Sequence, residues 1–207
     1  MIQDVPSPID LRLMSDAVEW ESTANTKRPW RIEFFAAFAA AIRAAPVPVA
    51  RVLELGSGPG FLAEHLLNAL PDISYVALDF SAAMHQLARE RLGTLTSRVQ
   101  FVDRSLRETT WPEGLGSFEA IVTNQTVHEL RHKHYARALH AQARELLVPG
   151  GSYLVCDHYF GEDGMKNDRL YMPSLNNMKP CPMLASRKSN WFCSRAAWCF
   201  TVQPERP

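Results

Sequence analysis

The chain is expected to fold as an α/β protein whose doubly wound, mainly parallel sheet follows a pair of helices and ends irregularly. Three features predict this. From residue 50 onward, apolar strand-like runs alternate with stretches of helical periodicity, the pattern of a parallel sheet covered on both faces. The first run, R-V-L-E-L at 51–55, breaks into G-S-G-P-G at 56–60 and opens a helix, so a flat ligand could lie directly on bare backbone. Acids recur at the carboxyl ends of the first strands, at Glu54, Asp79 and Asp103.

The elements follow in order. Residues 1–9 hold two prolines and little periodicity, which suits a mobile lead-in. Helical patterning runs from Leu11 to about Ala45, interrupted near Asn25 to Pro29; Pro29 suits a first helical turn, after which Ile32, Phe35, Ala36, Ala39 and Ile42 share a face. Trp20 and Trp30 flank the break, either as packing anchors or as part of a lid that lines a substrate cavity. Past Pro46-Val47-Pro48, strands are expected at 50–55, 73–79, 98–103, 118–123 and 151–157, with helices at 60–70, 81–92 and 134–147. Pro149-Gly150-Gly151 should close the last helix and turn the chain. Three parts result: a helical cap at 1–46, a ligand-binding core at 47–172 and a tail at 173–207.

Composition narrows the partner. Twenty-two basic residues balance twenty-two acidic ones, so no broad field favours nucleic acid or an anionic membrane, and a small molecule is the expected partner. Without a bilayer-length apolar run or an apolar leader, a cytoplasmic protein is expected. Cys156, Cys181, Cys193 and Cys199 lack C-x-x-C spacing and read as reduced thiols, with no metal site.

Asp79 lies 19 residues past Gly60, a spacing at which an acid after the second strand accepts hydrogen bonds from ribose hydroxyls. Loop and acid together indicate an adenosine-containing ligand. The loop spacing is G-x-G-x-G rather than the dinucleotide form G-x-G-x-x-G, and Phe61 stands where the last glycine would be. Glu54 just before it would repel a phosphate and suits an ammonium group.

At this point the sequence closely resembles the class I S-adenosylmethionine-dependent methyltransferases, of the small bacterial single-domain type with a Rossmann-like sheet. The carrying blocks are E-L-G-S-G-P-G at 54–60, A-L-D-F-S at 77–81, F-V-D-R-S at 101–105, F-E-A-I-V-T-N-Q at 118–125 and L-L-V-P-G-G at 146–151. The resemblance implies S-adenosyl-L-methionine as cofactor. It implies that Gly56, Ser57, Gly58 and Gly60 shape the backbone around the methionine part, with Glu54 near the ammonium. It further implies that Asp79 binds the ribose, that Phe80 and Met84 flank the adenine, and that Asp103 and the backbone of Arg104 reach the adenine edge. Asn124 and Gln125 would end the fourth strand beside the sulfonium.

Methyl transfer from a sulfonium is an in-line displacement that needs positioning above all, and a base only where the acceptor must lose a proton. His128 is the candidate base, four residues past Asn124, with Glu129 behind it; a loop histidine without chemistry is the plain alternative. His128-Glu129-Leu130-Arg131-His132 also satisfies H-E-x-x-H, a zinc-hydrolase pattern, but Tyr135 and Ala138 stand where its extended form needs glycine and histidine. His132, His134 and His140 read as a solvated helix face. Helices before the core and residues 158–172 should line the acceptor pocket. A non-catalytic adenosine-ligand binding protein and a nicotinamide oxidoreductase stand as alternative functions.

Residues 173–207 crowd three Cys, two Trp and five Pro into a basic background without clear periodicity, where the resembled family continues with a helix and two strands. A frameshift near codon 173 accounts for this: synonymous codons exist for which the frame displaced by one base encodes a helix, a turn and two apolar strands. Such a tail should leave the sheet unfinished, with an open edge beside the fifth strand. The gene's nucleotides around that codon test the idea.

Overall fold

A computed structural model describes residues 2–162 and 164–173, together with the backbone of 191–194 and 197–202. Strands β1 (Arg51–Leu55), β2 (Ser74–Asp79), β3 (Val99–Asp103), β4 (Phe118–Asn124) and β5 (Leu147–Phe160) pair in parallel in the order β3-β2-β1-β4-β5. Strand order reverses between β1 and β4, where doubly wound sheets open a crevice at their carboxyl ends.

Alternation along each strand divides the core between two faces. Val52, Tyr75, Ala77, Ala120, Val122 and Leu154 pack against α2 (Arg31–Arg43) and α3 (Phe61–Ala69). Leu53, Leu55, Val76, Leu78, Ile121 and Val155 face the opposite way, onto Trp111 and Leu139 of α5 (Ala136–Glu145). Burial of both faces explains why β1 and β4 are nearly continuous apolar runs.

Ahead of the core, α1 (Met14–Lys27) rests on α4 (Ala82–Leu92) through Ala17, Ala83, Met84 and Leu87. The break between α1 and α2 is residues 28–30, at the late end of the expected stretch, so Pro29 lies in the break rather than in a first helical turn. The lead-in, expected to be mobile, is instead fastened across the crevice. Asp4 holds Arg107 at 2.6 Å, Val5 N donates to Arg131 O at 2.8 Å, and Ser81 Oγ donates to Leu11 O at 2.5 Å while capping Met84 N.

Two expectations about the end of the chain change. Pro149-Gly150-Gly151 does not separate a helix from a strand: β5 already starts at Leu147, and the triplet forms a bulge between the pairs Phe118–Leu147 and Ala120–Ser152, with Gly150 at φ +83°. The edge beside β5 is not open. Short β6 (Met172–Pro173) pairs with Tyr159 and Phe160, and β8 (Ala197–Val202) runs antiparallel along Tyr153–His158, with β7 (Trp191–Ser194) outside it. The rest of the tail, residues 174–190, 195–196 and 203–207, lies outside the described residues, and so does most of the segment in which a frameshift is expected. Among the described residues no helix is long and apolar enough to cross a membrane.

Candidate functional site

The turn from β1 into α3 is built by glycines in conformations that side chains resist. Gly56 has φ +71°, and a methyl group there would overlap the Thr126 side chain, so the loop after β4 can press directly onto it. Gly56 N and Ser57 N donate to Leu78 O at 2.8 and 3.0 Å, which ties the loop to the end of β2. Gly58 N donates to Asp79 Oδ2 at 2.8 Å and Ser81 N to Asp79 Oδ1 at 3.0 Å. One carboxylate thereby anchors both the glycine loop and the start of α4.

A cavity of about 320 Å³ opens on this loop. Glu54, Gly56, Ser57, Gly58 and Asp79 line its floor, Phe80, Met84 and Arg104 one side, and Asn124, Gln125 and His128 the other. Gly60 and Asp103 lie off the cavity. Gly60 starts α3 at φ +81° against Ala88, and Asp103 Oδ1 accepts from His85 Nδ1 at 2.6 Å. His85, fully buried, also stands 3.4 Å from Ser57 Oγ through Nε2. The sequence reading missed this Ser57-His85-Asp103 chain because its members come from three separate elements.

Burial governs the acids of the floor. Glu54 is 2% exposed, and desolvation lifts its carboxyl to about 8 against the opposing hydrogen bond from Tyr75 OH at 2.9 Å; Asp79 raises it further and Arg31 lowers it. Asp79 is likewise pushed up by burial, opposed by the backbone N–H groups it accepts from. Above them stands Arg31, a residue missed from the sequence, where it reads as an ordinary charge in a first helical turn. Its guanidinium lies 4.9 Å from the Phe61 ring, 5.4 Å from Phe35 and 5.6 Å from Trp20, and burial and Arg28 bring it down to about 10.

His128 occupies the far side, in a short 3-10 turn, Val127–Leu130, rather than on an α-helix. Its Nδ1 faces Asp157 Oδ1 at 2.5 Å, its backbone N donates to Asp157 Oδ2 at 3.0 Å, and its Nε2 lies 3.2 Å from Glu129 Oε1. Burial works to lower the imidazole, but the two carboxylates outweigh it and raise it to about 10. Burial likewise acts to raise Glu129, and His128 with Arg131 brings it down to about 2. Arg131 is left-handed at φ +64°, so H-E-x-x-H does not continue along one helix face, and His132 Nδ1 accepts from His134 N instead.

Trp20 lines the cavity, as the lid reading expects, whereas Trp30 packs edge-on against Phe34 and His158. Among the described residues none of 158–172 lines it; His158 and Tyr171 stand beside it, with rings 5.3 and 5.4 Å from that of His128. His140 is not part of a solvated face: Nδ1 lies 2.9 Å from Tyr153 OH, and burial holds it down near 4.

The donor set suits S-adenosylmethionine. Arg31 Nε, Asn124 Oδ1 and both amide atoms of Gln125 are buried without a hydrogen-bond partner, and all three residues face the cavity. A ligand with an ammonium, a carboxylate and hydroxyls would satisfy such atoms. The comparisons agree: residues 52–151 match a family described as a methyltransferase domain. That match spans just under half of the chain, and with the sheet order it supports a class I S-adenosylmethionine-dependent methyltransferase fold for the core. A malonyl-[acyl-carrier protein] O-methyltransferase of Paenibacillus sp. (strain JDR-2) is 31% identical over 103 residues, 49% of this chain and 36% of that protein. The solved, S-adenosylmethionine-bound CalS10, an amino pentose methyltransferase from Micromonospora echinaspora, is 28% identical over 70% of this chain and 58% of its own, with a TM-score of 0.57. A DhpI-SAM-HEP complex shares the fold at 19% identity, covering 92% of this chain and 94% of its own, with a TM-score of 0.64. The chain spans less than half the length of the curated relatives it matches.

Proposed function

We propose that this methyltransferase moves the methyl group of S-adenosylmethionine to a small-molecule acceptor by in-line displacement at sulfur. What carries the reading is the convergence, on one cavity, of the glycine loop, the buried acids Glu54 and Asp79, and the unpartnered polar atoms of Arg31, Asn124 and Gln125. The cofactor supplies an electrophilic methyl carbon, and the chain supplies placement. Glu54 faces the ammonium of the methionine part over the backbone of Gly56, Ser57 and Gly58, and Arg31 faces its carboxylate. Asp79 takes the ribose hydroxyls, with Phe80 and Met84 against the adenine. The Arg104 backbone stands at the adenine rim, with Asp103 behind it on His85, and Asn124 and Gln125 sit beside the sulfonium. His128 is the group at the acceptor; held between Asp157 and Glu129, it keeps its proton at neutral pH, and it offers an N–H or acts as a base only toward an acceptor that displaces Glu129.

The test is tritium transfer from S-adenosyl-[methyl-3H]methionine into a metabolite extract by the full chain. Labelled acceptor, formed together with S-adenosylhomocysteine, is expected. Tight cofactor binding with no labelled product from any extract would instead mark a binding protein.

A further inference from the structure

The cavity wall carries guanidinium groups from Arg12, Arg28, Arg31, Arg104, Arg107 and Arg131. Most are already answered. Arg12 lies 3.5 Å from Asp10 and Arg107 lies 2.6 Å from Asp4, while Arg104 donates to Trp111 O and Glu113 O at 2.9 and 2.5 Å. Arg131 donates to Glu129 Oε2 at 3.1 Å and to the carbonyls of Val5 and Pro6. Arg28 and Arg31 stand apart, since neither has a carboxylate within ion-pair distance among the described residues. Arg31 is 6% exposed with Nε unpartnered, and its single side-chain hydrogen bond is a 3.5 Å contact to Asn25 Oδ1.

Arg31 is buried and Arg28 is half-buried beside it; two like charges this close repel, and an anion near them offsets the cost. The cofactor carries one carboxylate. Arg31 is placed to take it, because its charge acts directly on Glu54 and the amino and carboxyl groups of methionine share one carbon. Arg28 remains.

Arg28 lines the same cavity as His128, and its charge reaches Tyr171, whose ring lies 5.4 Å from the His128 ring. The groups facing His128 are Asp157 and His158 from β5, Glu129 and Arg131 from its own turn, and Tyr171. Glu129 is engaged by both His128 and Arg131, and Asp157 by the His128 ring and backbone. No carboxylate there is left to answer Arg28.

Resting on the methyltransferase reading, we propose that the acceptor is an organic anion, a small carboxylic or phosphorus acid, seated on Arg28. Arg28 is then the residue that selects the acceptor class, while Arg31 serves the cofactor. An anionic acceptor also needs no general base, because no proton has to leave an oxygen that is already ionised.

The full chain saturated with S-adenosylhomocysteine is titrated calorimetrically with malonate, with inorganic phosphate and with malonamide as the neutral control. Binding of at least one anion and no binding of malonamide are expected; the stronger of the two anions assigns a carboxylate or a phosphorus acid. Arg28→Gln should weaken anion binding at least tenfold and leave the S-adenosylmethionine Kd within twofold, with Arg28→Lys intermediate. Arg31→Gln should instead raise the cofactor Kd about tenfold. Malonamide binding as well as malonate, no anion binding to the complex, or unchanged anion binding by Arg28→Gln would overturn the proposal. Failure of the wild-type chain to bind S-adenosylmethionine would instead overturn the methyltransferase reading beneath it.

Discussion

Replacing Glu54 by glutamine should stabilise the free protein and weaken its cofactor binding at the same time. The buried carboxyl, desolvated and held by Tyr75, stays protonated in the folded chain up to about pH 8, against 4.5 as its ordinary value. A raised acid favours folding fully below its unfolded value, and that contribution is lost as pH climbs toward the folded one. Between pH 4.5 and 7 the loss reaches about 3 kcal/mol, at ~1.4 kcal/mol per unit, as an upper bound on an order-of-magnitude figure. Glutamine keeps an oxygen for Tyr75 OH and has no proton to lose. Urea titrations should therefore show Glu54→Gln gaining ~1–3 kcal/mol over wild type at pH 8 and nothing near pH 4.5. The same change removes the partner of the cofactor ammonium, and loss of a charged hydrogen bond of ~1.5–3 kcal/mol corresponds to a Kd raised roughly ten- to a hundredfold. Calorimetry in two buffers of different ionisation heat should also detect a proton released on binding by wild type and not by the variant. A variant with no pH-dependent gain, or with an unchanged Kd, would refute this account of Glu54.

Further outcomes follow from neighbouring contacts. Gly56→Ala places a methyl group into the Thr126 side chain at φ +71°, so cofactor binding should fall more than tenfold, with partial recovery in the double variant with Thr126→Ala; full binding by Gly56→Ala alone would show that the loop has slack. His128, raised to about 10, contributes stability that is complete below pH 6.5 and fades as pH rises toward 10. Glu129, lowered to about 2, contributes above its ordinary 4.5 and loses this as pH falls toward 2. The stability difference between wild type and His128→Gln should thus be largest near pH 5–6 and shrink toward pH 10, as followed by urea titration. His85→Phe cuts the link from Ser57 to Asp103, and the S-adenosylmethionine Kd should rise severalfold, with His85→Gln closer to wild type; equal losses in both would assign His85 to packing alone.

The floor of the site was legible because its signals are local. G-S-G-P-G and the acid 19 residues past Gly60 are spacings within one strand-loop-helix-strand unit, and the structure joins them directly through Gly58 N and Asp79. Glu54 was legible as an acid before the loop, though its burial and its bond to Tyr75 depend on β2 lying beside β1. Arg28 and Arg31 were not legible, because basic residues around a helix break are ordinary until Phe61 and Trp20 close around one of them. Asp157 escaped for the same reason: 29 residues separate it from His128, and only the parallel pairing of β4 with β5 brings them together. The lead-in was misread as mobile because its anchors, Arg107, Arg131 and Ser81, lie far along the chain.

The most direct measurement is calorimetric titration of the purified full chain with S-adenosylmethionine, S-adenosylhomocysteine and NAD under one set of conditions. A cavity with Glu54 at the glycine loop and Arg31 above it should take the first two at one molecule per chain and refuse NAD, because Phe61 stands where a pyrophosphate-binding loop has its last glycine. Binding of NAD in preference to S-adenosylmethionine, or binding of neither S-adenosyl compound by folded protein, would contradict the account.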